Sequence, residues 1–282
     1  GLARLLYGRL FQHLINHMNT VLATSAPKEE DRLLGLLDIA GFECMDHNAL
    51  EQLMINLSNE HLQQHFIEMI FKKELQEAAK EGVKCADVGF VDNADCLALI
   101  DGTGGVLDLL DETCNVPKPT DMLFVTKVLK VQEGHARLIA PKVSRCGFGI
   151  KHFAGNVTYQ CEGWLERNND KPRPDISELL QASSVEVVKK IGNAVEEEAK
   201  AAAAAGAPGK GKKSKSVTAG FRVSLKALMA KIREANPHYI RCIKPNQQHV
   251  PGVFASRMVM DQLLVSGVLG QIQIRQTGYA SR

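Results

Sequence analysis

The sequence shows no excess of charge of either sign. Its 282 residues include 34 Lys and Arg against 32 Asp and Glu, which gives a formal net charge of +2. This near-neutral total argues against a general nucleic-acid binder, because such proteins present strongly basic surfaces. An electrostatic partner must therefore meet a local charged patch. Since 45% of the residues are hydrophobic, the chain can bury a sizeable core.

Paired cysteines and long apolar runs are also missing. The seven cysteines are odd in number and scattered, without a Cys-x-x-Cys pair. This favours free thiols in a reducing compartment over disulfides or a zinc centre. No signal peptide and no apolar run of membrane-spanning length is present, so we expect no membrane contact from this segment. Because the first residue is Gly1 rather than Met, we expect a piece of a longer protein.

Residues 33–43, LLGLLDIAGFE, form the most informative apolar stretch. Residues 33–39 lack the alternation of a half-exposed strand and predict a parallel strand that is buried on both faces. The stretch ends on Asp38, Gly41 and Glu43. Ligands of open α/β sheets bind outside the carboxyl ends of strands, where glycine lets the backbone approach an anion. Taken alone, Asp-x-x-Gly fits an ordinary core strand and its turn better than a nucleotide site.

Helical periodicity covers much of the remaining chain. Apolar residues recur at helical spacing in residues 1–22, and residues 48–81 contain no proline and predict one long helix. Two more helices are predicted at 218–234 and 258–274, the latter interrupted by a Ser-Gly pair. Residues 60–65 of the long helix have the order Glu-His-x-x-x-His. This is not the His-Glu-x-x-His of zinc proteases, so we reject a zinc site there.

Two stretches predict further β structure. Residues 148–161, FGIKHFAGNVTYQC, alternate and predict a hairpin with Gly155-Asn156 at its turn. Residues 238–243, HYIRCI, predict a compact buried strand. Together with the helices, these stretches indicate an α+β fold that is predominantly helical.

Residues 110–129 predict a helix, a stiff loop and a second helix. Pro117 and Pro119 favour extended backbone in the loop, and Thr120 is a suitable N-cap for the second helix. Because apolar residues lie near both ends, the loop could be a docking surface. An ordinary helical hairpin explains the same pattern, and the sequence alone does not separate the two.

Composition changes at residues 196–217, which we predict to form a flexible surface loop. The segment places Lys210, Lys212, Lys213 and Lys215 within six residues. These lysines predict a cationic patch that attracts an acidic polymer in a salt-sensitive manner. The spacing Gly-x-x-x-x-Gly-Lys also occurs here. Since Lys213 stands where a phosphate loop needs Ser or Thr, we reject a phosphate loop.

Residues 38–43, DIAGFE, and 48–71, NALEQLMINLSNEHLQQHFIEMIF, resemble switch II and the relay helix of myosin motor heads. Further blocks of the family pattern follow in order, among them CNVPKPTD, HFAGNVTYQ and RCIKPN. The resemblance covers nearly the whole chain. It implies the lower, actin-binding half of a myosin head, from switch II to the reactive-thiol helices, and part of a P-loop NTPase motor fold with fragments of a central mixed sheet. LMINLSNE and RQTGY further resemble the divergent gliding (class fourteen-like) myosins.

The resemblance assigns catalytic and nucleotide-binding roles at the end of the first strand. Asp38 corresponds to the acidic residue that contacts the magnesium ion indirectly, and Gly41 to the glycine whose N–H senses the γ-phosphate of ATP. Glu43 corresponds to the glutamate that pairs with an arginine of the other switch loop and helps to position the attacking water. The implied cofactors are therefore ATP and Mg²⁺.

The resemblance also assigns an actin-binding surface. One part corresponds to the actin-facing loop between two helices: Val116, Pro117, Lys118, Pro119 and Thr120. The other part is the set of four lysines at residues 210–215. Filamentous actin is the implied partner, and myosin light chains would bind through a lever arm outside this sequence. No nucleic-acid or membrane partner is implied, and the implied location is the cytoplasmic actin cytoskeleton.

The resemblance predicts three regions within one partial motor domain. Residues 1–195 would hold switch II, the relay helix and the lower actin-binding subdomain, and residues 196–217 the Lys-rich loop. Residues 218–282 would hold a central-sheet strand and the coupling helices toward the converter. The family's phosphate loop and first switch loop are not among these residues. We therefore expect ATP hydrolysis from the complete motor and none from residues 1–282 alone.

The main expectation is a partial actin-based, ATP-driven motor that senses the γ-phosphate, binds actin and relays the change toward a lever arm. One alternative is an actin-binding or scaffold module without ATPase activity, although such a module has no need of Gly41 and Glu43. Another is a kinesin or a different switch ATPase or GTPase, which shares Asp-x-x-Gly. The relay-like helix and RCIKPN speak against this last alternative.

Overall fold

The computed structural model describes residues 2–23, 32, 34–80, 92–141, 146–169, 174–204, 216–266, 268 and 272. The chain divides into two compact units. The first unit comprises Gly1–Ile39 and Asn169–Ser216, and the second comprises Ala40–Asn168 and Val217–Arg282.

Helices dominate the described part of the chain. The helices are α1 (Leu2–Leu22), α2 (Leu50–Lys80), α3 (Ala94–Asp101), α4 (Val106–Thr113), α5 (Asp121–Val131), α6 (Trp164–Asn168), α7 (Pro174–Gln181), α8 (Glu186–Ala204), α9 (Val217–Glu234) and α10 (Ser256–Val265). The strands are β1 (Leu138–Ile139), β2 (Gly147–His152) and β3 (Gly155–Gln160). The helices predicted from periodicity at 1–22, 48–81 and 218–234 are confirmed by α1, α2 and α9.

The first unit contains α1, α7 and α8. Helix α8 packs against α7 and against α1. A Cβ atom at Gly192 of α8 would lie 2.7 Å from the backbone N of Gln181 and 2.9 Å from Cβ of Leu180 in α7. Glycine is therefore required where these two helices approach each other.

Helix α8 extends to Ala204, into residues that the sequence analysis assigned to the loop 196–217. The physical reason is the alanine-rich run at the end of α8, because alanine has the highest helix propensity. The four lysines at 210–215 lie outside the described residues.

The sheet of the second unit is antiparallel, with the order β1-β2-β3. The predicted hairpin at 148–161 is confirmed, but its turn consists of Phe153 and Ala154, because Gly155 already pairs with His152. Gly155 has a φ of 143°, a backbone conformation that favours glycine. The turn prediction at Gly155-Asn156 was therefore displaced by two residues.

The core of the second unit combines α2, the helices α3 to α6, α9 and the sheet. Its centre is a cluster of four fully buried aromatic side chains: Phe124, Phe148, Tyr159 and Trp164. Trp164 lies with its ring centroid 5.9 Å from Phe124, 6.0 Å from Phe148 and 6.2 Å from Tyr159. These ring contacts join α5, β2, β3 and α6 into one packed body.

The two isolated strands that the sequence predicted are not formed. Within the described residues, neither 34–40 nor 238–243 pairs with a strand. Leu34 and Leu36 are 86% and 92% exposed, which contradicts the prediction of a strand buried on both faces. Such a strand needs neighbouring strands and covering helices, and the described part of the chain supplies neither.

Residues 238–243 are nevertheless fixed to α2. The guanidinium of Arg241 lies 4.3 Å from the ring centroid of Phe66 and donates to Gln63 Oε1 over 3.0 Å. The hydroxyl of Tyr239 forms a short hydrogen bond with His65 Nδ1. Side-chain contacts with one helix, rather than a sheet ladder, therefore hold this segment.

Candidate functional site

The residues assigned to nucleotide sensing lie where the chain passes from one unit to the other. Asp38 belongs to the first unit, and Gly41 and Glu43 belong to the second. Gly41 is exposed, and a Cβ atom at this position would meet no heavy atom within 4 Å. The described residues therefore leave the N–H of Gly41 open to an approaching anion.

Helix α2 holds the peptide groups of Glu43 through one buried amide side chain. The N–H of Glu43 donates to Asn56 Oδ1 over 2.8 Å, and Asn56 Nδ2 donates to the carbonyl of Glu43, also over 2.8 Å. The amide thus binds a donor and an acceptor of the same residue. Because Asn56 is fully buried, its amide cannot exchange either bond for one to water.

Two further side chains of α2 contact the same segment. Asn59 Nδ2 donates to the carbonyl of Ala40 over 3.0 Å, and Gln52 Nε2 donates to Glu43 Oε2 over 3.2 Å. Asn59 and Asn56 are three residues apart and Asn56 and Gln52 four apart, so they share one face of the helix. Helix α2 therefore contacts the segment on both sides of Gly41.

The start of α2 is fixed to strand β3. Asn48 Oδ1 accepts from the N–H of Met45 over 2.8 Å, and Asn48 Nδ2 donates to the carbonyls of Met45 and Thr158 over 2.8 and 3.0 Å. The backbone of Asn48 donates to Gln160 Oε1 and accepts from the N–H of Gln160. The turn that precedes α2 therefore has a defined position relative to the hairpin.

A chain of buried polar groups continues from Asn56 into the hairpin. Asn56 Nδ2 donates to the Tyr159 hydroxyl over 2.9 Å, and this hydroxyl lies 2.8 Å from His152 Nε2. His152 Nδ1 lies 2.9 Å from Glu60 Oε1. Since a carboxylate only accepts, Nδ1 carries the proton, and Nε2 accepts from the Tyr159 hydroxyl. Every bond in this chain therefore has a donor and an acceptor.

Glu60 is an ionised carboxylate in the protein interior. Burial alone would raise its pKa, but hydrogen bonds from His152 and Asn93 and from the N–H of Phe153 hold the pKa below its ordinary value. The Cys96 thiol donates to Glu60 Oε1 over 3.4 Å. Burial and the charge of Glu60 raise the pKa of this thiol, which is therefore protonated and unreactive.

Glu60, Cys96 and His152 are also the residue types that bind zinc. One ligand atom from each lies within 4.8 Å of the other two. All three atoms, however, already take part in the hydrogen bonds described above, with the thiol and the imidazole as donors. Hydrogen bonding therefore explains why these three side chains lie together, without a metal ion.

The predicted helix–loop–helix is confirmed by α4, the loop 114–120 and α5. Thr120 is the N-cap of α5, and its side chain accepts from the N–H of Leu123 over 3.1 Å. Val116 is half-buried, whereas residues 117–120 are exposed. Lys118 has a φ of 53°, an uncommon conformation for a residue with a side chain. Four of the five residues assigned to actin binding are thus exposed, in a loop whose backbone is constrained at Lys118 and Thr120.

A shallow groove lies beside this loop. Its volume is about 290 Å³, and its lining includes Val116, Leu123, Lys127 and Lys130. Lys127 is paired with Glu112 over 2.5 Å. The groove next to the loop thus combines apolar side chains with the positive charge of Lys130, a composition that an acidic partner with apolar anchors would match.

The residue that follows the Lys-rich segment is anchored to α4. The hydroxyl of Thr218 donates to a pair of acceptors, Asn168 Oδ1 at 2.7 Å and Asp111 Oδ1 at 2.9 Å. Asn168 Nδ2 donates to Asp111 Oδ1 over 2.7 Å. The start of α9 is therefore fixed next to the helix that leads into the exposed loop.

Sequence reasoning missed the buried polar chain. Asn56, His152 and Tyr159 received no role, and Glu60 was considered only for a zinc site that was rejected. The signal that could have found them is the polar stripe 52, 56, 59 and 60 on one side of the predicted long helix. Buried polar side chains in a helix require partners, and the partner hairpin was also predicted.

The family comparison separates a myosin head from the kinesin alternative. The model of the myosin head (motor domain) family matches residues 1–282. The chain belongs to the myosin head family. Its resemblance to switch II, the relay helix and the following blocks is thereby confirmed at the level of the family, whereas the gliding subclass stays a prediction.

Proteins similar to this chain include several from plants. The chain is 39% identical to "Myosin-11" of Arabidopsis thaliana and 37% identical to "Protein OPAQUE1" of Zea mays, in each case over 100% of this chain and 18% of the relative. It is 38% identical to "Myosin-16" of Arabidopsis thaliana over 99% of this chain and 22% of that protein. The chain thus spans about a fifth of the length of these relatives.

In the part of the chain that the structure describes, no helix is both long and apolar enough to cross a bilayer.

Proposed function

We propose that this chain is the part of an actin-based, ATP-driven myosin motor that senses the γ-phosphate, binds filamentous actin and relays the change toward a lever arm. The observation that carries the proposal is the grip of α2 on the segment around Gly41. Asn59 holds the carbonyl of Ala40 and Asn56 holds the peptide groups of Glu43. A shift at Gly41 therefore acts directly on a helix of 31 residues.

In the complete motor, the segment around Gly41 would contact ATP and Mg²⁺. The accessible N–H of Gly41 would donate to the γ-phosphate, and the carboxylate of Asp38 would hold water on the magnesium ion. Glu43 would pair with an arginine from outside these residues. The ion would supply charge neutralisation of the phosphates. Because no complete phosphate-loop motif occurs in residues 1–282, hydrolysis would require the rest of the motor.

The actin contact would be formed by the loop 116–120 and the lysines at 210–215. Lys130 lines the apolar groove and Lys118 lies in the adjacent exposed loop, and their positive charge supports an acidic polymer such as filamentous actin as the partner. We further propose a cytoplasmic location on the actin cytoskeleton and light chains on a lever arm outside these residues.

Co-sedimentation of this chain with filamentous actin over a series of salt concentrations tests the proposal. We expect binding that weakens as salt rises and that ATP does not change, since the phosphate loop is not in this chain. Lys118→Glu should weaken binding several-fold, whereas Lys226→Glu, an exposed lysine of α9, should not.

Lack of binding by a chain with a normal circular dichroism spectrum would contradict the actin assignment. The scaffold alternative predicts the same binding by this chain. It differs in the full-length protein, where ATP would then leave actin binding unchanged, while a motor predicts release by ATP.

A further inference from the structure

The buried hydroxyl of Tyr159 is bonded to the residue that grips Glu43. It accepts a hydrogen bond from Asn56 Nδ2, which also donates to the carbonyl of Glu43, while Asn56 Oδ1 accepts from the N–H of Glu43. Asn56 and Tyr159 are both fully buried. Because no water can substitute, the Tyr159 hydroxyl fixes the orientation in which the amide holds Glu43.

The ring of the same tyrosine belongs to the aromatic cluster that supports α5. Tyr159 packs against Trp164, and Trp164 packs with a centroid distance of 5.9 Å against Phe124 in the first turn of α5. Phe124 follows the exposed loop 116–120 by four residues. The side chain of Tyr159 thus has a polar end toward Glu43 and an apolar body toward the loop.

The backbone provides a second connection between β3 and α5. After β3 the chain turns at Gly163, whose N–H donates to Asp121 Oδ2 over 2.8 Å, and the N–H of Leu165 donates to Asp121 Oδ1 over 3.1 Å. Asp121 is the first residue of α5. The start of α5 is therefore tied to the strand that carries Tyr159.

We propose that Tyr159 is a positioning residue that couples the peptide group of Glu43 to the first turn of α5. When the Glu43 peptide moves, the Asn56 amide must follow or lose two hydrogen bonds, and either change reaches the Tyr159 hydroxyl. A closely packed aromatic cluster passes such a shift on because it has no free volume to absorb it. The biological meaning rests on the proposed function, in which the two ends face ATP and actin.

Hydrogen exchange of the isolated chain tests the coupling without actin or nucleotide. Tyr159→Phe keeps the ring and removes the hydroxyl. We expect amide exchange to accelerate roughly fivefold in the peptide 40–47, as for the loss of one hydrogen bond. We also expect a smaller acceleration in the peptide 118–126, which contains the N-cap of α5.

Val157→Ala is the matched control. Val157 is a buried residue of the same strand, and its truncation destabilises the hairpin without removing a polar bond. A residue that only fills the core would give the same pattern of exchange as this control. Tyr159→Phe is therefore expected to differ from Val157→Ala by a selective increase at 40–47, after both are compared at equal global stability.

Asp121→Ala tests the connection from the opposite end. This variant removes, at the start of α5, the acceptor for the N–H groups of Gly163 and Leu165. It is expected to accelerate exchange at 40–47 as well. In the double variant with Tyr159→Phe, the acceleration of exchange should differ from the product of the accelerations in the two single variants, because both substitutions act on one connection.

The proposal is overturned if Tyr159→Phe accelerates exchange at 40–47 no more than Val157→Ala does, or if 118–126 is unaffected. That result would leave actin binding by the chain untouched. Conversely, absent actin binding together with the expected exchange pattern would contradict the proposed function and leave the coupling in place.

Discussion

The segment 34–40 and the interior around β3 show opposite relations between sequence and burial. Leu34 and Leu36 are among the most exposed large apolar residues described, while Asn56, Glu60 and His152 are buried. Apolar side chains are buried only where other groups cover them, and polar ones are tolerated where every hydrogen bond is satisfied. An apolar sequence pattern therefore predicts burial only when the elements that cover the segment are also present.

The largest expected loss of stability comes from removing the buried carboxylate of Glu60. Glu60→Ala would leave His152 Nδ1, Asn93 Nδ2 and the N–H of Phe153 without their acceptor, so we expect the free energy of unfolding to fall by about 3–5 kcal/mol. Denaturation with urea, followed by the fluorescence of the single tryptophan, Trp164, measures this loss. Glu166→Ala, at an exposed position of α6, is the control. A loss below about 1 kcal/mol would show that the network is dispensable.

A smaller loss is expected at the start of α2. Asn48→Ala removes an acceptor for the N–H of Met45 and a donor to two carbonyls, and we expect a loss of about 2 kcal/mol. The same urea titration measures it, with Asn156→Ala, an exposed asparagine of β3, for comparison. Equal stability of the two variants would contradict the anchoring of α2 to β3.

The pH dependence of stability sharpens the comparison further. The pKa of Glu60 is lower in the folded protein than its ordinary value of 4.5, so the unfolded chain binds more protons below that pH. Stability is then fully present above pH 4.5 and falls as the pH drops through the folded pKa, with a slope of at most about 1.4 kcal/mol per pH unit from this one group.

Urea midpoints measured above and below pH 4.5, the ordinary pKa of Glu60, test this dependence. Glu60→Gln should flatten the curve in this window. Asp95 and Asp101, whose pKa values are also lowered, would keep the remaining slope at the acid end. A curve for Glu60→Gln that is as steep as that of the parent chain would contradict the assignment.

The smallest effect is expected in the exposed segment. Leu36→Ser should change the free energy of unfolding of this chain by no more than about 0.5 kcal/mol, because the side chain is almost fully exposed. The buried Leu53→Ala should cost about 2–5 kcal/mol by contrast. If Leu36→Ser destabilised the chain as much as Leu53→Ala, the segment would be buried in solution.

Local signals made part of the fold predictable. Helices α2 and α9 follow from apolar periodicity, and the exposed loop from Pro117, Pro119 and the N-cap Thr120. The family followed from DIAGFE and the helix after it. These features depend on residues close together in sequence, for which spacing and propensity are sufficient.

Long-range pairing made the rest unpredictable. Asn56 and Tyr159 are 103 positions apart, and nothing in either local pattern specifies the other. The strand at 33–39 failed for the related reason that its neighbours are not among the described residues. The assignment of Asp38, Gly41 and Glu43 to nucleotide sensing rests on the resemblance, and stays a proposal.

Hydrogen exchange of the unmodified chain tests the contrast most directly. The described structure gives no amide of residues 34–40 an acceptor, whereas the N–H of Glu43 is bonded to buried Asn56. We predict exchange close to the unprotected rate throughout 34–40 and strong protection at Glu43. Equal protection of both, or an unprotected Glu43, would contradict the claim that Asn56 of α2 binds the peptide groups of Glu43.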